Sequence, residues 1–340
     1  MSQRMKWVLL SVISVIALGA TAVFGIIAFQ QSQERNNAPS VVETAPAVPV
    51  DSAGRIVFRN TAAGQGYGHI ASVPQDDPSG PRALMDVACD RVYATVASIV
   101  CLRTERGIAP SFVAQLLDSA GTETQSWPLP GIPSRTRISP DGTLIATTSF
   151  VTGHSYATVG FSTETVIRGT DGTNYGNLED FTLAIDGAPV TSLDRNFWGV
   201  TFIDDQSFYA TASANGRTWL VRGDLESRSL TSVIESVECP SLSPDGTRVA
   251  FKRVTGTDGT IAHWTPAILD LATGEVTLLP ETRSIDDQIE WLDDSTIMYG
   301  MPRESTPGDT DVWALKADGS DTPRVFIEHA WSPSVVRSAK

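Results

Sequence analysis

Lysine, histidine and cysteine are scarce in this 340-residue chain, with four, four and three copies. The histidines, His69, His154, His263 and His329, are too scattered to suggest a metal triad, and no Cys pair stands at ligand spacing. No metal or cofactor is expected. Positive charge is short as well: 25 basic residues face 39 acidic ones, a net of −14. Setting aside Arg4 and Lys6 at the extreme N-terminus leaves 23 basic against 39 acidic, −16. A body this acidic offers no surface for a phosphate backbone, which excludes nucleic acid as partner. There is no Asn-x-Ser/Thr sequon. What is present is a 41% hydrophobic composition, enough to bury a core and to exclude disorder as the main state.

The first feature along the chain is an uncharged run of 23 residues, Trp7 to Phe29. At about 1.5 Å per residue it can span a bilayer core of roughly 30 Å. Arg4 and Lys6 precede it, while Glu34 and Arg35 behind it cancel, so the positive-inside rule places residues 1–6 in the cytoplasm and exports the rest. The alternative is a cleaved signal peptide with Ala20-Thr21-Ala22 as its site; against it, the apolar run continues seven residues further. Residues 7–29 are therefore expected to be a signal-anchor helix at the plasma membrane. Residues 30–53, rich in Gln, Asn, Ala, Pro and Val, read as a semi-extended tether rather than a packed element.

In an exported body, three cysteines permit one disulfide. Cys89 and Cys101 are the natural couple, if the chain turns near Thr95 and sets them opposite each other on a hairpin. Closing so short a loop is worth about 3 kcal/mol.

The architecture comes from internal repeats. Arg137-Ile138-Ser139-Pro140-Asp141-Gly142-Thr143 and Ser241-Leu242-Ser243-Pro244-Asp245-Gly246-Thr247 are near copies, each running into an alternating apolar strand. Pro sets φ, Asp caps the turn and Gly takes φ > 0, which makes a tight antiparallel hairpin. Weaker versions occur at Ile203–Tyr209, Leu292–Met298 and Ala88–Tyr93. A second marker, an apolar strand ending in an acidic turn, appears near Asp76, Asp118, Asp186, Asp224, Asp270 and Asp318, spaced by about 48 residues. Ala330-Trp331-Ser332-Pro333 reads like the strand before such a turn and Gly54–Phe58 like the strand after it, so the two chain ends complete one unit. Six four-stranded units closed by shared termini predict an all-β, six-bladed β-propeller over residues 54–336, with 337–340 as a tail.

These repeats resemble those of the TolB-like (WD-repeat-like) propeller family, whose units carry a strand, Ser-Pro-Asp-Gly and an apolar strand. The strong matches are Ser139 to Gly142 and Ser243 to Gly246. The resemblance implies the propeller, and binding of envelope partners in a bacterial setting, which a chain with four Lys against twenty-one Arg fits. Soluble periplasmic members of the family carry an N-terminal α/β domain where this chain has its apolar segment. The same repeat unit occurs in prolyl-peptidase propellers, where a hydrolase domain follows; here the sequence stops at Lys340.

Function is expected on the face bearing the b-to-c and d-to-a loops of the blades. The third unit is about twenty residues longer than the others, and the surplus is expected in a b-to-c loop from Thr152 to about Asn177, containing His154, Ser155 and Tyr156. Beside it, Arg195, Asn196, Phe197 and Trp198 would form a binding surface if their aromatics are exposed. Gly153-His154-Ser155-Tyr156-Ala157 lacks the last glycine of a nucleophile elbow. The pairs Glu179/Asp180 and Asp286/Asp287 are adjacent, so they point to opposite sides rather than facing each other as a glycosidase needs. Gly169–Thr173 and Gly256–Thr260 are read as equivalent b-to-c loops. With no catalytic constellation, a non-enzymatic scaffold binding an envelope protein or a glycan is the leading expectation. A hydrolase or lyase at the axial face is the alternative.

Overall fold

The computed structural model describes residues 3–107, 109–151, 162–259, 261–304 and 306–338. After a helix, Gln3–Asn37, the chain builds six antiparallel sheets, each with four strands labelled a to d from the axis outwards. Blade 1 joins the two ends of the sequence. Its strand a is the C-terminal Ala330–Val336, and its strands b, c and d are Arg55–Asn60, His69–Pro74 and Arg82–Ala88. The join is in register at Ile56↔Val335 and Arg55↔Val336, as the matching ends predict.

Blade 2 is Arg91–Ala94, Ser98–Glu105, Ser111–Asp118 and Glu123–Leu129; blade 3 is Ile132–Ile138, Leu144–Val151, Ser162–Gly169 and Asn174–Asn177. Blade 4 is Asn196–Phe202, Ser207–Ala214, Arg217–Asp224 and Ser229–Glu235; blade 5 is Glu238–Leu242, Arg248–Asp258, Ile261–Asp270 and Val276–Leu278. Blade 6 is Glu290–Asp293, Thr296–Pro302, Thr310–Lys316 and Arg324–Ile327. Each strand a touches the strand a of the next blade, and blade 6 returns to blade 1, which closes the ring. Small cores of Val, Ile, Leu, Ala and Phe fill the spaces between blades.

The two Ser-Pro-Asp-Gly turns are built alike. Ser139 N donates to Leu144 O at 2.9 Å and Gly142 N to Ser139 O at 2.9 Å; the same bonds from Ser243 and Gly246 are both 2.8 Å. Gly142 and Gly246 sit at φ +78° and +74°, where a Cβ would be strained. Each serine hydroxyl donates to the turn aspartate and accepts the amide two residues past Gly.

Four expectations need correction. The a-to-b turn of blade 2 is Thr95–Ser98, not the segment around Asp90, which lies in the preceding d-to-a connection. The c-to-d turn of blade 3 is Gly169–Thr173, not Asp186; it is therefore not equivalent to the stretch from Gly256, whose residues 256–258 end strand b of blade 5. The surplus residues do not fill a loop up to Asn177, because 162–169 and 174–177 are strands. They form instead an extra hairpin, Thr182–Ile185 and Ala188–Val190, whose first strand runs parallel to strand d of blade 4 and widens that sheet to six strands. Such an addition covers a sheet edge. Finally, residues 38–50 are no free tether. Ala38 O accepts from Gln65 N, Val41 N donates to Ala63 O, Thr44–Ala45 pairs with strand d of blade 1, and Val50 is fully buried. Gly64, at φ +97°, makes room, since a Cβ there would lie 2.5 Å from Pro39 O.

Cys89 and Cys101 are bridged, with Cα atoms 5.5 Å apart. The turn is Thr95–Ser98, later than the one near Thr95 that would set the two cysteines opposite each other. Cys101 pairs across the hairpin with Val92, and the bridge reaches back from it to Cys89 in the d-to-a connection. Cys239 is a buried free thiol.

Candidate functional site

The expected loop residues His154, Ser155 and Tyr156 lie outside the described residues. Phe197 and Trp198 face inward at 1% and 7% exposure, Phe197 within the largest apolar cluster. Strand a of a propeller packs on both neighbouring blades, so its aromatics are the inner wall rather than a docking surface. Asn196 Oδ1 accepts from Thr163 N and Oγ1, which ties blade 4 to blade 3, and Arg195 donates to Val190 O.

The structure instead concentrates chemistry on the axis. The connection into blade 6 threads three carboxylates along it, Asp286, Asp287 and Glu290, and cations from other blades answer each one. At the b-to-c end, Asp286 accepts from Lys252 at 2.7 Å with Arg135 Nη2 at 3.8 Å. Burial alone would raise the Asp286 pKa, but Lys252, Arg135 and Arg91 hold it below the usual carboxylate range. Asp287, fully buried, accepts from Arg91 at 2.8 Å and from Gly300 N at 2.9 Å. Nearest the turn face, Glu290 is held between Arg137 and Arg337, the latter at 3.0 Å. Burial would lower Arg137, yet Glu290 and Tyr93 hold it above its ordinary value. Five cations thus meet three carboxylates along the axis, Asp287 and Glu290 buried and Asp286 exposed at its b-to-c end, in a protein whose net charge is −14.

Asp286 and Asp287 do diverge to different partners, as adjacency predicted. The residues missed from sequence are Arg91, Arg135, Arg137, Lys252, Glu290 and Arg337; Arg135 and Arg137 share strand a of blade 3, the others sit on different segments, and of the six Arg137 alone borders a Ser-Pro-Asp-Gly repeat motif. One signal was available. Arg137 and Ser241 occupy the same position in the two repeat copies, and equivalent strand-a positions converge on the axis; Arg137 Nη2 donates to Ser241 Oγ at 3.0 Å.

On the turn face this axis opens into a cavity of about 470 Å³. Tyr93, Arg137, Ser241, Glu290 and Arg337 form its floor, while Ile138, Phe202, Leu242, Pro140 and Pro244 make apolar walls. Asp141, Asp204 and Asp205 stand at the rim. The candidate site therefore lies on the face of the short turns, opposite the face expected from loop length. Among the described residues, no histidine or cysteine lines it. The hydroxyls of Ser139 and Ser243 donate to their turn aspartates, and both oxygens of Glu290 accept from guanidinium groups, so binding suits these groups better than proton transfer.

No family model and no curated protein matches this chain. Solved structures do. TolB from Acinetobacter baumannii aligns with a TM-score of 0.56 at 18% identity, over 83% of this chain and 66% of its own. A chain of a nidogen/laminin complex gives 0.54 at 12%, over 84% of this chain and 99% of its own, and puromycin hydrolase 0.50 at 14%, over 87% and 47%. The chain thus spans just under two thirds of that TolB and about half of the hydrolase, and at these identities the likeness is one of fold. In fold, this protein is a TolB-like six-bladed β-propeller that follows an apolar N-terminal helix.

Proposed function

We propose that this protein is a membrane-tethered, extracytoplasmic binding scaffold of the cell envelope, and that it captures an extended segment of a partner protein in the axial cavity of the turn face. The supporting observation is the cavity itself: apolar walls suit a peptide's side chains, and Arg337, a third exposed on the floor, offers charge-assisted hydrogen bonds to a carboxylate. The acidic rim favours basic residues flanking that carboxylate. A glycan would meet the same hydroxyls and aromatic floor with less use of the charge.

The test is binding of short extended peptides with a free or an amidated C-terminus to the full-length protein, against an Arg337→Glu variant. A free carboxylate should bind at least tenfold tighter than the amide, and the variant should lose that preference. Equal binding of both forms would refute the charge-reading role. A hydrolase or lyase at the same axial face is the second reading, favoured by the fold's likeness to puromycin hydrolase. Sustained turnover of a chromogenic amide or glycoside by the purified chain would put it first.

A further inference from the structure

The path of residues 38–50 fixes where the helix joins the ring. Ala38 meets Gln65 at 2.8 Å and Val41 meets Ala63 at 3.2 Å, both in the b-to-c loop of blade 1. The chain then descends the outer edge of that blade, reaches Ser119 on the turn face through Val50 N at 2.9 Å, and starts strand b there. The helix is therefore attached on the b-to-c and d-to-a side. Its apolar stretch ends at Ile27 and the helix continues to Asn37, so about 15 Å of helix, with no slack linker, separates that stretch from the ring.

The two faces differ in what they present. Among the described residues, exposed large apolar side chains outside the helix and its docked segment are absent from the turn face. On the b-to-c side they include Ile132, Leu193 at 76%, Val254 and Ile261 at 68%, contributed by blades 3, 4 and 5. Blade 5 reaches furthest. Its strands b and c stay paired out to Asp258↔Ile261, whereas strand a covers b only to Lys252 and strand d covers c only from Ala267, so a two-stranded ribbon projects from this face. Several charges here are matched, as in Arg103–Glu105, Arg283–Glu281 and Arg303–Asp311, while Asp194 and Asp258 stand exposed beside Leu193 and Ile261 and would have to stay at the headgroup level. The turn face is the reverse. All six c-to-d turns and four of the five a-to-b turns carry aspartate, bonded mostly to backbone amides and hydroxyls, with Arg222, Arg248 and Lys316 offsetting part of that negative charge. An anionic leaflet attracts basic groups by about 1 kcal/mol each near its surface and repels acidic ones correspondingly.

We propose that the b-to-c and d-to-a face is a lipid-docking surface: the ring lies on the bilayer through Ile132, Leu193, Val254 and Ile261, and its axial cavity faces away from the membrane. This rests on the reading of the helix as an anchor. The orientation leaves the peptide site open to partners in the envelope space.

The test uses the full-length chain in vesicles of phosphatidylcholine and phosphatidylglycerol with an acceptor dye on the headgroups. A donor dye is placed on single introduced cysteines, Leu193→Cys and Ile261→Cys on one face, Glu226→Cys and Asp321→Cys on the other; native Cys239 is buried and sets the background. Positions 193 and 261 should transfer strongly and 226 and 321 weakly, since strands of seven to eight residues put ~25 Å between the faces. Equal transfer from all four, or the reverse order, overturns the docking while leaving the anchor intact. A chain that fails to float with the vesicles overturns the anchor as well. In a Leu193→Asp/Ile261→Asp background, whose substituted sites are solvent-exposed, transfer from Ile132→Cys should fall at least twofold; unchanged transfer would refute the apolar contact.

Discussion

Replacing Glu290 with Leu tests whether the axial ion pairs hold the ring together. Arg137 and Glu290 are 5% and 4% exposed, and Arg137 also donates to Ser241 Oγ at 3.0 Å and Ile289 O at 2.6 Å. Without Glu290 the guanidinium keeps those neutral partners but stays buried beside Arg337 with no counter-charge. Breaking one side of such a pair costs about 3–5 kcal/mol, because the remaining charge cannot return to water. At roughly 2 °C per kcal/mol for a chain of this size, Tm should fall by ~6–10 °C. Arg137→Met alone should cost less, since Glu290 keeps Arg337 as its counter-charge. The Arg137→Met/Glu290→Leu double variant should recover much of the loss, giving a coupling energy of ~2 kcal/mol or more. Denaturant titrations and calorimetry of the four proteins measure this cycle. A single-variant cost under about 1 kcal/mol, or simple additivity, would show that the axis is wet and the pair screened.

Reduction of Cys89–Cys101, or its Cys→Ser double variant, should lower stability by about 3 kcal/mol in urea titrations, the loop-closure value for a separation of 12 residues. Gly64→Val should loosen residues 38–50, since its Cβ meets Pro39 and Ala38 backbone oxygens and its φ is +97°; faster amide exchange at Gln65 and Arg82 reads this out. Acid should destabilise the ring in a defined window. In Asp245, burial alone would raise the pKa, but bonds from Ser243, Thr247 and the nearby Arg248 take it to about 2 against 3.8. A depressed pKa stabilises above about pH 4 and the benefit is lost as pH falls towards 2. Asp141 and Asp293 shift in the same direction. Melts at pH 7, 5, 3 and 2 should show that loss, with a shallower slope in Asp245→Asn; identical slopes would contradict the turn-capping account.

The ring was legible because its information is local and repeated. Ser-Pro-Asp-Gly specifies a turn within five residues, and the likeness of 54–58 and 330–333 to the two halves of a repeat announced the closure. Placement of the extra residues in blade 4 was not legible, since the parallel pairing of Leu183 with Leu230 is a long-range choice that turn spacing does not encode. Residues 38–50 looked like a tether because Pro and Ala carry no period; their docking depends on one buried Val50 and on the space left by Gly64. The axial site was missed for a related reason. A propeller brings one residue from each distant strand a to the axis, so Arg91, Arg137 and Glu290 are neighbours in space and strangers in sequence, whereas loop length pointed to the opposite face.

Blade 1 has a consequence for how the protein is made. Its strands b to d are synthesised first, and their inner partner, Ala330–Val336, follows roughly 270 residues later, which at ~5–20 residues per second leaves an unpaired β-edge waiting for well over ten seconds. During that interval residues 44–45 can already cap the outer edge at Arg82–Ala83, since they precede it in the chain. Only the inner edge stays open. A nascent chain would therefore present a growing open ring with one adhesive side, and any holding factor that meets it would find its target at Ile56 to Asn60 until the last strand emerges.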